Sequence, residues 1–318
     1  MESNVNQNAK WKQVLVIAAL VAAIVLVAVK METSKSVLAD NAQLTFESPL
    51  AAGAALNNAA KAGDEEALSQ ILGIKTRTLL TTGDKEADKA ATEGFASKYD
   101  EMNRWVAMTD GSQMLYIGAD NFAFPVPLAK DSSGRWYFDA VGGEQEIRAR
   151  NIGRNELLAI DTCAAIANAQ DMFFATVGTS AEFAQRIVST AGKQDGLYWP
   201  VSDAQAPSPL GSFSQLPKSS LASYPPQEPL VVDGYSFRIL TAQGNAAPGG
   251  ARSYIVNGKM TRGFAILATP VRYAETGIMT FMTGSDGIVY EQDFGPDTAK
   301  IASSIREFNP SDDWLPVE

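Results

Sequence analysis

The feature that most constrains the fold is a long helical pattern near the middle of the chain, residues 144–177, EQEIRARNIGRNELLAIDTCAAIANAQDMFFATV. Its apolar residues recur at helical spacing, which predicts one helix, or two helices joined near Gly153. The residues of the predicted apolar face are Leu157, Ile160, Ala164 and Ala167, with Leu158, Thr162, Ala165, Ala169 and Met172 on the adjoining arc. At about 1.5 Å per residue, this helix would span roughly 50 Å. We expect its second half to be buried and the whole helix to join two lobes.

The segment before this helix predicts helices followed by antiparallel strands. Ser48-Pro49, Asp64 and Asp84 each place an N-cap side chain ahead of a helical pattern. Strand patterns separated by turns follow, as far as RWYFDAV (135–141). This order is similar to the cone-shaped nuclear-transport-factor-two-like fold, in which a pocket often lies between helices and sheet. The aromatic residues that would line such a pocket, unless they are ordinary core and strand residues, are Trp105, Tyr116, Trp136, Tyr137 and Phe138.

The segment after the long helix is rich in strand patterns. We expect a short helix over AEFAQRIVST (181–190) and an irregular, Pro- and Ser-rich excursion over 200–233. Strands resume at GYSFRILTAQG (234–244), continue through GFAILATP (263–270) and end in a hairpin over 278–294. A long helix followed by this arrangement is similar to the soluble part of type IV pilins and pseudopilins. The resemblance implies a sheet packed on a helix, although a pilin helix continues into a membrane segment and here another domain intervenes.

An uninterrupted apolar run, VLVIAALVAAIVLVAV, occupies residues 14–29. Three residues mark its start, middle and end: Val14, Leu20 and Val29. The run is slightly short for a membrane span of about twenty residues, but Trp11 and Lys30 at its ends would extend it into the interface. We expect an uncleaved membrane anchor or a cleaved signal segment within 1–42. The folded body would then be anchored at the inner membrane and lie in the periplasm, or be secreted to the periplasm.

The predicted fold class is therefore α+β, in three segments. Residues 1–42 form the anchor or signal segment, and 43–143 form a helical and antiparallel-sheet lobe. Residues 144–318 form the long helix and a pilin-like lobe in which that helix packs on an antiparallel sheet.

Composition excludes several chemistries. None of the 318 residues is histidine, so a Ser-His-Asp triad, a Cys-His pair and an HExxH zinc site are ruled out. The single cysteine, Cys163, is expected to be a small buried apolar residue. A formal net charge of −10 without a basic run argues against nucleic acid as a partner. No cofactor or metal site is predicted.

Two groups of residues are candidate binding sites. Asp195, Tyr198 and Trp199 combine a carboxylate with two large aromatic side chains, which is typical of sugar or peptide contact surfaces. The alternative is an Asp-Gly turn whose aromatic neighbours close the edge of a core.

The second group, Arg154, Asn155 and Glu156, opens the buried half of the long helix. These polar side chains would hold the lobes together through ion pairs and backbone contacts, or bind a ligand.

Several motifs together resemble the bacterial domain-of-unknown-function 2950 family. They are IGRNELLAI (152–160), DGLYWP (195–200), GYSFRILTAQG (234–244), GFAILATP (263–270) and DGIVYEQDFGPDT (286–298). The resemblance runs from about residue 45 to the end of the chain. It implies an exported bacterial protein and supplies no catalytic residues.

We therefore expect a non-enzymatic cell-envelope protein with a binding or scaffolding role. Its partner would be an envelope protein, a peptide or a glycan. The alternative is an envelope hydrolase that uses carboxylate or Ser-Lys chemistry without histidine.

Overall fold

The structure, a computed structural model, describes residues 43–176, 181–200, 207–212 and 229–317. It confirms a mixed α+β fold of helices and antiparallel sheets. The chain divides into two compact units, one up to Ala149 and one from Arg150. In the described ranges no helix is both long and apolar enough to cross a membrane. The predicted membrane segment, 14–29, and most of the predicted excursion over 200–233 lie outside these ranges.

The described part of the first unit begins with helices, and those that start after Ser48, Asp64 and Asp84 begin where the sequence predicts. They are α1 (Pro49–Ala62), α2 (Glu65–Leu72), α3 (Ile74–Leu80) and α4 (Lys85–Glu101). Ser48 Oγ accepts a hydrogen bond from the Ala51 N–H at 3.1 Å, and Asp64 Oδ1 accepts one from the Ala67 N–H at 3.0 Å. Asp84 caps α4 in the same way. Side chains therefore satisfy N–H groups that have no partner inside each helix.

The sheet of the first unit packs against these helices. Its strands are β1 (Asn103–Ala107), β2 (Gln113–Ile117), β3 (Phe122–Ala123), β4 (Leu128–Lys130) and β5 (Trp136–Phe138). The order is β1-β2-β4-β5, with β3 also paired to β2, and every pair is antiparallel. Leu115, Leu128 and Phe138 are fully buried from the sheet side, and Ala52 and Leu56 of α1 are buried in the same cluster.

The long helix α5 (Ala140–Thr176) is one continuous helix without a break at Gly153. Its buried face agrees with the predicted face only in part, since Thr162, Ala167 and Ala169 are buried as predicted. The buried residues include Ala159, Cys163, Ile166, Gln170 and Phe173. The prediction was wrong for Leu157 and Met172, which are 45% and 42% exposed, and for Ala164, which is also exposed. The buried face mixes small side chains with large ones such as Ile166 and Phe173, so neither side-chain size nor hydropathy marks it in the sequence.

The second unit is built on a six-stranded antiparallel sheet in the order β15-β14-β13-β12-β7-β6. These strands are β6 (Leu230–Val232), β7 (Tyr235–Leu240), β12 (Ala265–Pro270), β13 (Thr280–Gly284), β14 (Val289–Gln292) and β15 (Leu315–Pro316). Two small ribbons lie between them, namely β8 (Ala242–Gln243) with β9 (Arg252–Ser253) and β10 (Ile255–Val256) with β11 (Lys259–Met260). A short helix, α6 (Thr298–Ser304), precedes β15. The sheet and the buried face of α5 share one apolar core.

The predicted helix over 181–190 is wrong. Isolated bridges join Phe183 to Met260 and Val188 to Tyr198 instead. The amide side chain of Gln170, buried in α5, accepts the Ala184 N–H and donates to the Ala184 carbonyl, both at 2.8 Å. This segment therefore obtains its hydrogen bonds from residues that are distant in sequence.

Candidate functional site

A cavity of about 360 Å³ lies between the helices and the sheet of the first unit. Its walls are mainly aliphatic and aromatic. Leu56, Leu68, Leu72, Phe95, Ile117 and Phe124 contribute the apolar surface. The volume falls within the range of about 300–1,000 Å³ that is usual for small-molecule sites.

Helix α4 supplies one wall of this cavity because the helical repeat places several of its lining residues on one face. Ala91, Gly94, Phe95 and Lys98 follow the i, i+3, i+4, i+7 spacing and all line the cavity. The Phe95 ring meets the Phe124 ring edge to face, with centroids 5.2 Å apart. This aromatic pair fixes the wall between α4 and the sheet.

The polar side chains at the cavity are held by neighbours in the same unit. Arg77 forms an ion pair with Glu65. Lys98 Nζ lies 2.6 Å from Asp120 Oδ2. The Thr92 hydroxyl donates to the Asp88 carbonyl at 2.9 Å. The cavity therefore presents mainly apolar surface, with a few charged and hydroxyl side chains that each already have one partner.

Asp88 is the carboxylate that lines the cavity. Thr82 donates to Asp88 Oδ1 through its N–H at 2.7 Å and its hydroxyl at 2.8 Å, and the Gly83 N–H donates to Oδ2 at 3.3 Å. These hydrogen bonds, led by the one from the Thr82 N–H, lower the pKa of Asp88, and the charge of Arg77 adds to the effect. The carboxylate is thus an ionised acceptor that anchors the start of α4.

The aromatic residues predicted to line a pocket in this lobe do not line the cavity. Trp136 and Phe138 are buried in the core of the unit. Arg104 stacks on Tyr116 at 4.7 Å, and Trp105 packs partly buried against the core. The cavity uses Phe95, Phe122 and Phe124 instead. Period-two alternation does not identify these residues, because the strand that begins at Phe122 has only two residues, Phe124 lies just after it and Phe95 is helical.

Asp195 lies in a connecting segment of the second unit, and Tyr198 and Trp199 belong to the buried core of that unit. Tyr198 and Trp199 are only 6% and 3% exposed. Asp195 accepts hydrogen bonds from the Thr190 N–H at 2.7 Å and the Thr190 hydroxyl at 2.9 Å. Burial raises the pKa of Asp195, but these bonds and the charge of Arg186 outweigh burial and lower it. The geometry agrees with the turn interpretation of this cluster.

Arg154, Asn155 and Glu156 have different surroundings. Arg154 is exposed, whereas Asn155 and Glu156 are half-buried and face the loop between β12 and β13. Asn155 Nδ2 donates to the Thr276 carbonyl at 2.9 Å. Glu156 Oε1 accepts the N–H groups of Ile278 at 2.7 Å and Met279 at 3.0 Å. Two side chains of α5 therefore hold a loop of the second unit through its backbone.

Glu156 belongs to a desolvated polar cluster. Burial raises its pKa, the two backbone hydrogen bonds lower it, and the charge of Asp293 raises it further, with a net increase. Burial and the charge of Glu156 also raise the pKa of Glu291. Tyr235, which is fully buried, donates its hydroxyl to the Met279 carbonyl at 2.8 Å, and burial strongly raises its pKa.

This cluster predicts a pH dependence of stability. A carboxyl whose pKa is higher in the folded than in the unfolded protein stabilises the fold below the unfolded value, about 4.3, and loses that contribution as the pH rises through the folded value. Glu156→Gln removes this titration and lowers the pKa of Glu291. We expect the urea midpoint of the variant to increase relative to that of the wild type as the pH rises above the unfolded value of about 4.3. Parallel curves for the two proteins would contradict the expectation.

Cys163 and the remaining acidic groups offer no further chemistry in the described ranges. Cys163 is fully buried, and burial raises the pKa of its thiol to about 12, so the thiolate is not formed near neutral pH. Among the residues that the structure describes, no group of three or more Cys, Asp or Glu side chains could hold a metal ion.

The fold and the site define a two-unit α+β protein whose first unit holds an apolar cavity and whose second unit packs a sheet on a long helix. The chain belongs to the family described as "Protein of unknown function (DUF2950)", whose model matches residues 43–317. This match confirms the family resemblance that the sequence motifs indicate. No curated protein and no solved structure matches the chain. The resemblance to pilins stays a prediction.

Proposed function

We propose that this protein is a non-enzymatic binding protein of the bacterial cell envelope and that the cavity of its first unit is the binding site. The cavity carries the proposal, because it has the size of a small-molecule site and an apolar lining. The partner expected from the sequence is an envelope protein, a peptide or a glycan. The apolar walls favour a partner that inserts an apolar group.

The residues at the cavity favour binding over catalysis. Asp88 is an ionised acceptor with three donors already on it, so it does not supply a proton near neutral pH. Lys98 is paired with Asp120, and Thr92 donates to a helix carbonyl, so neither is placed as an activated nucleophile or base. A binding site needs none of these activities.

The envelope location is part of the proposal. The apolar run over 14–29 supports an inner-membrane anchor with the body in the periplasm, or secretion to the periplasm if the segment is cleaved. Protease added to intact spheroplasts would digest the body in either case. Protection of the body until the cells are lysed would contradict this location.

We also propose a finer description of the two folds. Helices α1, α2 and α4 packed on a small antiparallel sheet, with a cavity between them, support a nuclear-transport-factor-two-like first unit. The packing of α5 against a six-stranded antiparallel sheet supports a pilin-like second unit.

The alternative, an envelope hydrolase with carboxylate chemistry, has one supporting observation. Burial raises the pKa of both Glu156 and Glu291, which is common for catalytic carboxyls. However, Glu156 Oε1 accepts two backbone N–H groups, which gives this side chain a structural role in the loop. Hydrolysis by the wild type that both Glu156→Gln and Glu291→Gln abolish would favour the hydrolase.

The binding proposal is tested on the tagged full chain purified from envelope membranes. Proteins, glycans and lipids that co-purify are identified together from the wild type, from Gly94→Leu and from Ser97→Leu. Gly94 and Ser97 are both exposed, but Gly94 lines the cavity and Ser97 does not. We expect at least one molecule to be recovered with the wild type and Ser97→Leu and to be depleted at least about tenfold with Gly94→Leu. Identical recoveries from all three proteins would overturn the proposal.

A further inference from the structure

We propose that the cavity of the first unit holds the acyl chain of a lipid and that Gly94 keeps the cavity open for it. This inference rests on the proposed binding function and specifies the ligand. Three observations support it. The cavity offers a mainly apolar lining, a buried peptide would need hydrogen-bond partners there, and Gly94 is a helical glycine that packing does not explain.

The polar groups at the cavity already have partners. Arg77 is paired with Glu65, Lys98 with Asp120, and Thr92 with a helix carbonyl. Asp88 already accepts three hydrogen bonds. The walls of the cavity are mainly apolar and offer few polar atoms, and a buried polar ligand group without a partner is costly. An acyl chain needs no such partner.

The backbone of a peptide distinguishes it from an acyl chain as an occupant of this cavity. Every peptide residue other than proline brings one N–H and one carbonyl group that must be hydrogen-bonded when buried. The mainly apolar lining of this cavity offers few partners for these groups. An acyl chain buries only methylene groups, each of which favours the apolar environment.

Gly94 is a glycine that neither backbone conformation nor packing explains. It lies inside α4, where glycine is disfavoured relative to alanine, and it is not among the residues with positive φ. A Cβ atom built on Gly94 would have no neighbouring atom within 4 Å. Gly53 in α1 differs, because a Cβ there would come within 2.8 Å of the Tyr99 hydroxyl. Packing therefore explains Gly53 but not Gly94, and Gly94 lines the cavity.

The opening of the cavity can be placed near Phe122. This side chain lines the cavity and is nevertheless 44% exposed. Lys98 Nζ lies 5.4 Å from the centre of its ring, and the Lys98–Asp120 pair is itself largely in water. The polar head of the lipid would remain in solvent at this opening while its chain occupies the apolar interior.

The test uses photo-crosslinking of the full chain in bacterial membranes, with palmitic acid that carries a terminal diazirine as the probe. We expect labelled peptides from α4 and from residues 117–125. Unlabelled palmitate should compete for this labelling. Gly94→Leu and Ala91→Leu should reduce it at least about tenfold, because each leucine displaces several methylene groups of the probe. Ser97→Leu, which introduces the same side chain at an exposed position of α4 that does not line the cavity, should label like the wild type.

Circular dichroism of the three variants verifies that each remains folded, which is expected because leucine is a good helix former. Equal labelling of these peptides in the wild type and in both cavity variants would overturn the acyl-chain proposal. Displacement of the probe by an apolar peptide but not by palmitate would overturn it as well. If the co-purified molecule that depends on the cavity is a peptide or a glycan, the binding function stands and the acyl chain is wrong.

Discussion

Replacing Glu156 with alanine is expected to lower the free energy of unfolding of the second unit by about 2–3 kcal/mol, because a buried backbone N–H without an acceptor costs about 1–3 kcal/mol. Glu156 Oε1 accepts two such groups, those of Ile278 and Met279. The side chain also fills space beside Tyr235, whose hydroxyl binds the same loop through the Met279 carbonyl. Alanine removes the acceptor and the volume together.

The matched control is Glu156→Gln, which keeps an oxygen in the same place. We expect it to retain most of the stability at neutral pH. Urea denaturation gives the free energies, and hydrogen exchange reports the amides of residues 278 and 279 directly. Exchange at these two amides should accelerate in the alanine variant and stay slow in the glutamine variant. An alanine variant with wild-type exchange and an unchanged urea midpoint would show that the loop does not depend on Glu156.

The sequence predicts the local structure of the first unit well because local side chains determine it. Ser48, Asp64 and Asp84 each bind an N–H two or three residues further on, and Gly63 ends α1 with a positive φ of 61°. Helix α3 was not predicted. It has no side-chain N-cap, and the Gly73 before it has an extended ψ, so the usual start signals are absent.

The face of α5 that is buried could not be predicted in the same way. Alanine lies on most sides of this helix, so hydropathy alone does not separate Leu157, which is exposed, from Ala159 and Cys163, which are buried. The face of α5 that is buried is the face that packs against the sheet, and the sequence of the helix alone does not identify it. Residues 181–190 also could not be predicted from local sequence. Their apolar pattern is helical, but the buried Gln170 amide forms hydrogen bonds with Ala184 in a non-helical segment.

The candidate sites could be predicted from the sequence only in part. Arg154, Asn155 and Glu156 were expected to hold the two lobes together through ion pairs and backbone contacts, but the backbone contacts of Asn155 and Glu156 lie within the second unit. The partner loop could not be named, because Glu156 and Ile278 are 122 residues apart in the chain. The cavity was expected from the order of helices and strands, but its lining depends on which face of α4 turns inward. Gly94 therefore could not be identified as a cavity residue from the sequence alone.

Replacing Gly277 with alanine is expected to destabilise the second unit by about 2–4 kcal/mol, from overpacking of about 1–3 kcal/mol plus the loss of a buried hydrogen bond. A Cβ atom on Gly277 would collide with the Tyr235 hydroxyl and would lie 2.5 Å from Tyr235 Cζ. Tyr235 is fully buried and is held by the Met279 carbonyl, so it cannot turn away without losing that bond.

The same substitution at Gly94 is the control, because alanine meets no atom there and favours the helix by about 0.5–1 kcal/mol. Urea denaturation should therefore show opposite shifts for the two variants. Tyr235→Phe in the Gly277→Ala background should restore only part of the loss, because the ring carbon Cε2, 2.6 Å from the new Cβ, remains in the way. A Gly277→Ala variant as stable as the wild type would mean that the loop moves away from Tyr235 at little cost. The predicted losses of stability in Gly277→Ala and in Glu156→Ala both require the backbone of residues 276–279 to stay where Glu156 and Tyr235 bind it. A stable Gly277→Ala variant would therefore also show that the contacts of Glu156 do not fix the loop.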